Sequence, residues 1–376
     1  MKFAIERSVL VKSLAHMQNI VERRPTVSIM GNVKLVGLAD SDGEWLEITA
    51  TNSEVELTEK IPAKVIDPGS LTVSSFKFHE IARKINDGVQ IECNQDKSKS
   101  TLQVKAGRAR FQLSTLPVDD FYSMPVVKAP NKVSLAAADI KYIINTTLFA
   151  AAVDGARHSL NGIYLYSAQR SGKNKLIAAG TDGLRLACTQ QPLSGDVKEI
   201  AGVIIPRKIV GELGKLLEES GATNVDVEIS QTQIKFIMPN LVVTSRLIDG
   251  TYPDYEKVIP TGNDKTAVMQ TAELISVIER VSVFAEKSSR IRLSFSKDKL
   301  NVSASSSDEG SAEEDLDVSY AGGSLDIAYN FKYLLDILNQ TKDGRVKATF
   351  LGPQDPAIFT NPDDERARYI LMPLGG

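Results

Sequence analysis

Leu46-Glu47-Ile48-Thr49-Ala50-Thr51-Asn52 is an alternating strand that runs into a polar turn. The chain writes it again as Leu176-Ile177-Ala178-Ala179-Gly180-Thr181-Asp182, and more loosely as Leu300-Asn301-Val302-Ser303-Ala304-Ser305-Ser306. Upstream of each copy lies an amphipathic pattern: Val9, Leu10, Leu14, Met17 and Val21; Ile140, Ile143, Ile144 and Leu148; Leu274, Ile275, Ile278, Val281 and Phe284. Spacings of three and four put these groups on one face of a helix. Downstream, a second strand enters a second helix: Leu71-Thr72-Val73 before Phe78 to Ile85, Val203-Ile204-Ile205 before Ile209 to Leu217, and Leu325-Asp326-Ile327 before Tyr333 to Leu338. Ile81, Leu213 and Leu335 read as equivalent positions in these helices.

The threefold repeat predicts three domains, at 1–127, 128–262 and 263–376. Copies of this length exceed a solenoid unit and can each enclose a core. Several strands follow one another without an intervening helix, which favours an α+β fold with antiparallel sheets over a doubly wound parallel one. The first two copies end on connectors punctuated by proline and aromatic residues, Leu116 to Tyr122 and Asp249 to Tyr255.

A chain of 376 residues with 42% hydrophobic and 24% charged content falls among ordinary soluble proteins. No apolar run reaches the roughly 18 residues that span a bilayer, and Glu6 and Arg7 interrupt any signal-peptide core, so the expected location is cytoplasmic. Cys93 and Cys188 sit in strand-like runs of different copies and read as buried reduced thiols. Net charge is −3, yet Asp308 to Asp317 alone carries −6, leaving +3 on the remainder. That acidic run reads as a solvated loop. Basic residues recur at helix ends: Arg23 and Arg24, Arg83 and Lys84, Arg157, Arg207 and Lys208, Lys287 and Arg290. Threefold symmetry would gather them on one surface.

Catalytic chemistry is not legible. The chain lacks a glycine-rich phosphate loop, a nucleophile elbow, a His-Glu-x-x-His pair and paired-cysteine metal spacing. His16, His79 and His158 are scattered, and the sequons at Asn145, Asn301 and Asn339 carry little meaning without a secretion signal. No enzyme activity, cofactor or metal is expected.

Phrases along the whole chain resemble the bacterial replicative sliding clamps, the β subunit of DNA polymerase III. They are Met1-Lys2-Phe3, Arg24-Pro25-Thr26 with Gly31-Asn32, Phe111 to Pro117, Leu160-Asn161-Gly162, Thr181 to Ala187, Pro206-Arg207-Lys208, Asp249-Gly250 with Tyr252 to Tyr255, and Tyr369 to Leu374. The resemblance implies a head-to-tail homodimer ring of six domains that encircles double-stranded DNA without reading its sequence. It places Phe111 and Leu113 on a first-copy strand, and Val283 and Phe284 on a third-copy helix, at the dimer interface. It turns Arg24, Arg83, Arg157, His158, Arg207 and Lys208 towards DNA, and the acidic 308–317 segment outwards. It also implies a peptide pocket lined by Leu160, Thr181, Gly183, Leu184, Arg185, Leu186, Pro253, Lys257, Val258, Asn330, Tyr333, Ile370, Leu371, Met372, Pro373 and Leu374. The implied occupants are short motifs of the polymerase α subunit, the clamp loader, other polymerases and repair proteins. Leu184, Ser288 and the terminal Gly375-Gly376 depart from the family pattern, which commonly has a histidine, a large apolar residue, and a basic–aliphatic pair there. A monomeric multidomain protein holding a small ligand in the same cleft is the competing reading, and mass in solution separates the two, because a clamp requires a dimer near twice 40.9 kDa.

Overall fold

A computed structural model describes residues 1–41, 43–129, 131–153, 157–193, 199–285 and 287–375. Gly376 of the unusual terminus lies outside the described residues. The chain divides into two compact units, residues 1–138 with 211–247 and residues 139–210 with 248–376. The middle copy contributes to both. Among the described residues the first unit holds one thirteen-stranded sheet, and the second a nine-stranded and a four-stranded sheet. Every strand pairing is antiparallel, as the run of strands without helices requires.

Six α-helices occur among the described residues: α1 (Arg7–Gln18), α2 (Ser75–Lys84), α3 (Ala137–Thr147), α4 (Arg207–Ser220), α5 (Thr271–Val281) and α6 (Phe331–Leu338). Polar side chains start them. Glu6 accepts from the Ser8 and Val9 N–H groups, Ser74 from Lys77, and Asn330 from Lys332, satisfying amides that have no partner inside the helix. Leu10, Leu14 and Met17 of α1 are fully buried, as their spacing predicts. Val21, Leu148 and Phe284, read as last positions of their helices, fall just beyond them. The Leu335 equivalence also shifts. Ile81 and Leu213 lie six residues into α2 and α4, and the residue six into α6 is Ile337, which is buried while Leu335 is only partly so.

The acidic segment expected as a loop is instead the strand Gly310–Asp317. Alternation explains it: Leu316 turns into the core, while Glu313 and Asp315 face out. The Arg280 guanidinium donates to both Glu314 carboxylate oxygens at 2.9 and 2.6 Å, and Lys287 pairs with Glu309 at 3.1 Å. Cys93 and Cys188 are both free; Cys188 is half-buried instead of buried, and burial pushes its pKa up to about 11, so the thiol stays protonated at neutral pH.

Repeats join by strand pairing. The strand Val55–Pro62 of the first copy pairs with Leu241–Arg246 of the second, with Leu57 opposite Val243. Likewise Arg185–Pro192 of the second copy pairs with Asp364–Leu371 of the third, with Ala187 opposite Tyr369. Leu57 and Ala187 are the same position, because the hairpins superpose at a constant shift of 130: Lys34 opposite Thr49, and Tyr164 opposite Ala179. Among the described residues the three sheets end at Asn131–Ala136, Lys64–Asp67, Val203–Pro206, Ser319–Ala321, Gly310–Asp317 and Leu325–Asn330, and two open edges match the strands used at these junctions. Gly310–Asp317 ends the four-stranded sheet, and Ala109–Leu116 is flanked by Thr101–Ala106 on one side but on the other pairs only through Thr115 and Leu116.

His16 ties three elements of the first unit together. Its Nδ1 lies 3.0 Å from Glu59 of Val55–Pro62 and its Nε2 3.1 Å from Glu219 of α4, which also receives Lys12 at 3.6 Å. Burial alone would depress the imidazole pKa, but the two carboxylates overcome it and raise the value above 6.5. A raised folded-state pKa contributes stability that is complete below 6.5 and is lost as pH climbs through the folded value. The shift on Glu219 is downward and acts below pH 4.5, outside this window. Calorimetric melting of the wild type should therefore decline from pH 6 to pH 8 more than that of His16→Gln, the two curves converging at the alkaline end. Parallel curves would show that the imidazolium clamp contributes nothing.

Candidate functional site

Thr181, Asp182 and Gly183 form the turn that opens the strand Arg185–Pro192. Asp182 Oδ1 accepts from the Leu184 and Arg185 N–H groups at 2.9 and 3.0 Å, and Thr181 Oγ1 donates to the Arg185 carbonyl at 2.6 Å. The first copy builds the same turn from Thr51, Asn52 and Ser53: Asn52 Oδ1 accepts from Glu54 and Val55, and Thr51 Oγ1 donates to the Val55 carbonyl. The turn itself is thus a structural element used twice. Its second use differs in chemistry. Gly183 takes φ +92°, where a side chain would be strained, and a Cβ there would sit 3.7 Å from Arg157.

Arg185 stands where the first copy has buried Val55. Its Nε donates to Asp182 Oδ2 at 3.0 Å, and its Nη1 donates to Asp336 on α6. Its guanidinium carbon lies 4.3 Å from the Tyr333 ring centre and 5.4 Å from that of Phe149, a stacked cation between two aromatic faces. Two carboxylates neutralise it, so Arg185 acts as a strut that fixes the Tyr333 ring.

Around this strut opens a cleft of about 640 Å³ lined by Ala151, Ala152, Val153, Arg157, Leu160, Asp182, Gly183, Leu184, Arg185 and Tyr333. Leu184 is 53% exposed and Val153 70%, an apolar rim of the kind that protein partners cover. Beneath lies a packed floor of Leu160, Leu186 and Ile370 with Ala179, Ile204, Tyr252 and Tyr255. The tail after the last strand is fastened by backbone bonds, Met372 N–H to the Leu184 carbonyl at 3.0 Å and Leu374 N–H to the Ala328 carbonyl at 2.8 Å.

Of the expected pocket residues, the cleft wall brings together Leu160, Gly183, Leu184, Arg185 and Tyr333; Leu186 and Ile370 lie in its floor and Thr181 braces its turn. Leu371 is fully buried at the strand end, Met372 is exposed, and Pro373 and Leu374 are half-buried in the tail. Pro253, Lys257 and Val258 are exposed beside the floor residues Tyr252 and Tyr255, outside the cleft wall. Asn330 caps α6. Sequence reading missed Ala151, Ala152 and Val153, whose small apolar side chains carry no motif, and Asp336, which ordinary helix spacing hides.

Of the basic residues expected to face DNA, Arg157 is exposed and also lines the cleft. Arg207 turns inward, its Nη1 donating to the Leu148 and Ala151 carbonyls, and burial pulls its pKa down. Arg24, Arg83, His158 and Lys208 are exposed. At the open strands, Phe111 is 37% exposed and Leu113 half-buried. Val283, 59% exposed, and Phe284 lie on a short 3-10 turn after α5 instead of on the helix itself, and Phe284 packs on Gly310 at the head of the open acidic strand.

No described helix is long and apolar enough to cross a membrane, and the described residues contain no cluster of three metal-ligating side chains. The chain matches the DNA polymerase III beta subunit in three successive stretches: its N-terminal domain over residues 1–125, central domain over 134–254 and C-terminal domain over 256–375. The beta sliding clamps of Caulobacter vibrioides and Pseudomonas aeruginosa are 33% and 34% identical to it, each alignment covering 100% of both chains. The crystal structure of the Pseudomonas aeruginosa sliding clamp bound to griselimycin superposes with TM-score 0.92 at 32% identity over 100% of both chains. The Caulobacter crescentus clamp superposes with TM-score 0.94 at 32% identity, over 100% of this chain and 99% of that one. On these matches from end to end, the chain belongs to the DNA polymerase III beta subunit family, the non-catalytic sliding clamps that act as processivity factors in DNA replication.

Proposed function

We propose that two copies of this chain close head to tail into a ring around duplex DNA in the cytoplasm, with domains at 1–127, 128–262 and 263–376, and that the Arg185 cleft tethers partners to it. The observation that carries the closure is the register of the strand junctions. Hairpin pairing makes Ile61, Gln191 and Leu316 equivalent, as partners of Leu46, Leu176 and Leu300. The last strands of copies one and two are related by a shift of 132, Thr101 opposite Ser114 and Gln233 opposite Arg246. Leu57, four before Ile61, faces Val243. The matching pair is Ala312, four before Leu316, and Phe111, 132 before Val243. The open strands then meet across the dimer with Ala312 opposite Phe111, Glu313 opposite Arg110 and Asp315 opposite Arg108. Opposite charges line up without adjustment, and Phe111 and Leu113 lie beside Val283 and Phe284 of the other copy. The acidic strand that the resemblance turned outwards becomes an interface strand.

Closure is head to tail, each junction joining two different edges, and the twofold axis repeats it, so each pair occurs twice per ring. Phe111→Asp should give folded monomers in sedimentation equilibrium. Arg110→Glu should weaken dimerisation roughly tenfold, from loss of two favourable cross-strand pairs and gain of two like-charge ones, and adding Glu313→Arg should restore it. A double variant no tighter than either single change would reject this register.

The cleft suits a short peptide with aliphatic and aromatic anchors, such as the Gln-Leu-x-Leu-Phe type, because its rim is apolar and its one strongly held cation is already neutralised. The polymerase α subunit, the clamp loader, other polymerases and repair proteins are the proposed bearers of such motifs. Calorimetric titration should show Tyr333→Ala weakening the peptide by about 1 to 3 kcal/mol. Deleting Met372 to Gly376 should abolish binding while the dimer persists, since the tail lies beyond the last strand. Unchanged affinity in both would move the partner site elsewhere.

A further inference from the structure

A trough of about 460 Å³ opens between α1 and α2, lined by Ala15, Gln18, Arg23, Phe76, His79, Glu80 and Arg83. Phe76, His79 and Arg83 recur at spacings of three and four and share one face of α2. Gln18 Nε2 donates to Ser75 Oγ at 2.7 Å and fixes the two helices side by side. Arg23 joins from the segment after α1, its guanidinium carbon 5.9 Å from the Phe76 ring centre. The aromatic face thus supports the cation above the trough. Arg7 donates to the Ala82 and Arg83 carbonyls at 3.2 and 2.9 Å, satisfying the end of α2 from below. Neither Arg23 nor Arg83 has an ion-pair partner among the described residues, and Glu80 is the one carboxylate in the lining.

We infer that this trough seats a backbone phosphate of duplex DNA between Arg23, His79 and Arg83, and that the phosphate enters together with a proton on His79. The inference rests on the reading that duplex DNA passes this surface, and it adds a site and a proton linkage to that reading. The trough's own residues disfavour imidazolium. Burial and then Arg83 hold the His79 pKa below 6.5, with Glu80 opposing them, and no other charged group besides Arg23 lines the trough. A phosphodiester reverses that balance. Its negative charge offsets both guanidinium groups and accepts a hydrogen bond from an imidazole that has taken a proton from solvent. Binding consumes at most one proton per trough.

The test uses the whole protein, a 30-base-pair linear duplex and fluorescence anisotropy at low salt, where direct contact and not encirclement sets affinity. Wild-type affinity should rise about threefold to tenfold from pH 8 to pH 6, within the limit for one linked proton. His79→Gln should flatten most of that rise, while His158→Gln, at an exposed histidine outside the trough, should leave it. Arg23→Gln and Arg83→Gln should each lower the slope of log affinity against log salt by up to about 0.9 per site. All positions are on the surface, so thermal melts should match the wild type. A wild-type pH profile in His79→Gln, an unchanged salt slope in both arginine variants, or no binding of the duplex would overturn the seat. Retention on circular DNA without these effects rejects the seat alone; the effects without retention reject the ring alone.

Discussion

An antiparallel strand with one side unpaired presents a row of N–H and C=O groups that water must satisfy and that any other strand can capture. Each junction in this chain answers that constraint the same way, by laying the last strand of one copy along the fourth strand of the copy before it. Among the open edges, Gly310–Asp317 of the third copy and Ala109–Leu116 of the first match the strands used at these junctions, and they are complementary in charge. The acidic residues of Gly310–Asp317 keep that edge hydrated, and in the proposed ring they face the basic end of Ala109–Leu116. A chain with an edge of each kind and no third junction within itself suits the proposed pairing with its own copy. The ring follows from strand pairing, and the dispensability of strong DNA contacts follows from the ring.

The cleft arises from the same economy. One turn geometry serves both copies, but Val55 in the first becomes Arg185 in the second, and a residue that filled a core becomes a strut between Asp182, Asp336 and Tyr333. A rigid aromatic wall beside an apolar rim suits the apolar anchors of the proposed peptide. In the proposed ring, a partner tethered to DNA would work at an effective concentration of roughly millimolar, so modest affinity is enough for processivity.

Repeat order, fold class and the helix faces were legible because period and alternation are properties of neighbours in sequence. Leu10, Leu14 and Met17 needed no tertiary information. What escaped was decided by contacts distant in sequence. The acidic run looked like a loop because charge dominates its composition, yet one buried residue in alternate register, Leu316, with Arg280 and Lys287 nearby, holds it as a strand. Arg207 looked like a DNA contact because it belongs to a basic pair, but the carbonyls of Leu148 and Ala151 claim its guanidinium. The pocket residues carried over by resemblance divide accordingly into walls, floor and exposed neighbours.

A net charge of −3 argues against tight DNA binding, and a clamp has no need of it. Few phosphate contacts permit sliding, and topology supplies residence time. The most direct test loads the protein with a clamp loader onto nicked circular DNA at moderate salt and then linearises the circle. Retention on the circle followed by loss on linearisation is the predicted result; equal retention on circular and linear DNA would contradict encirclement.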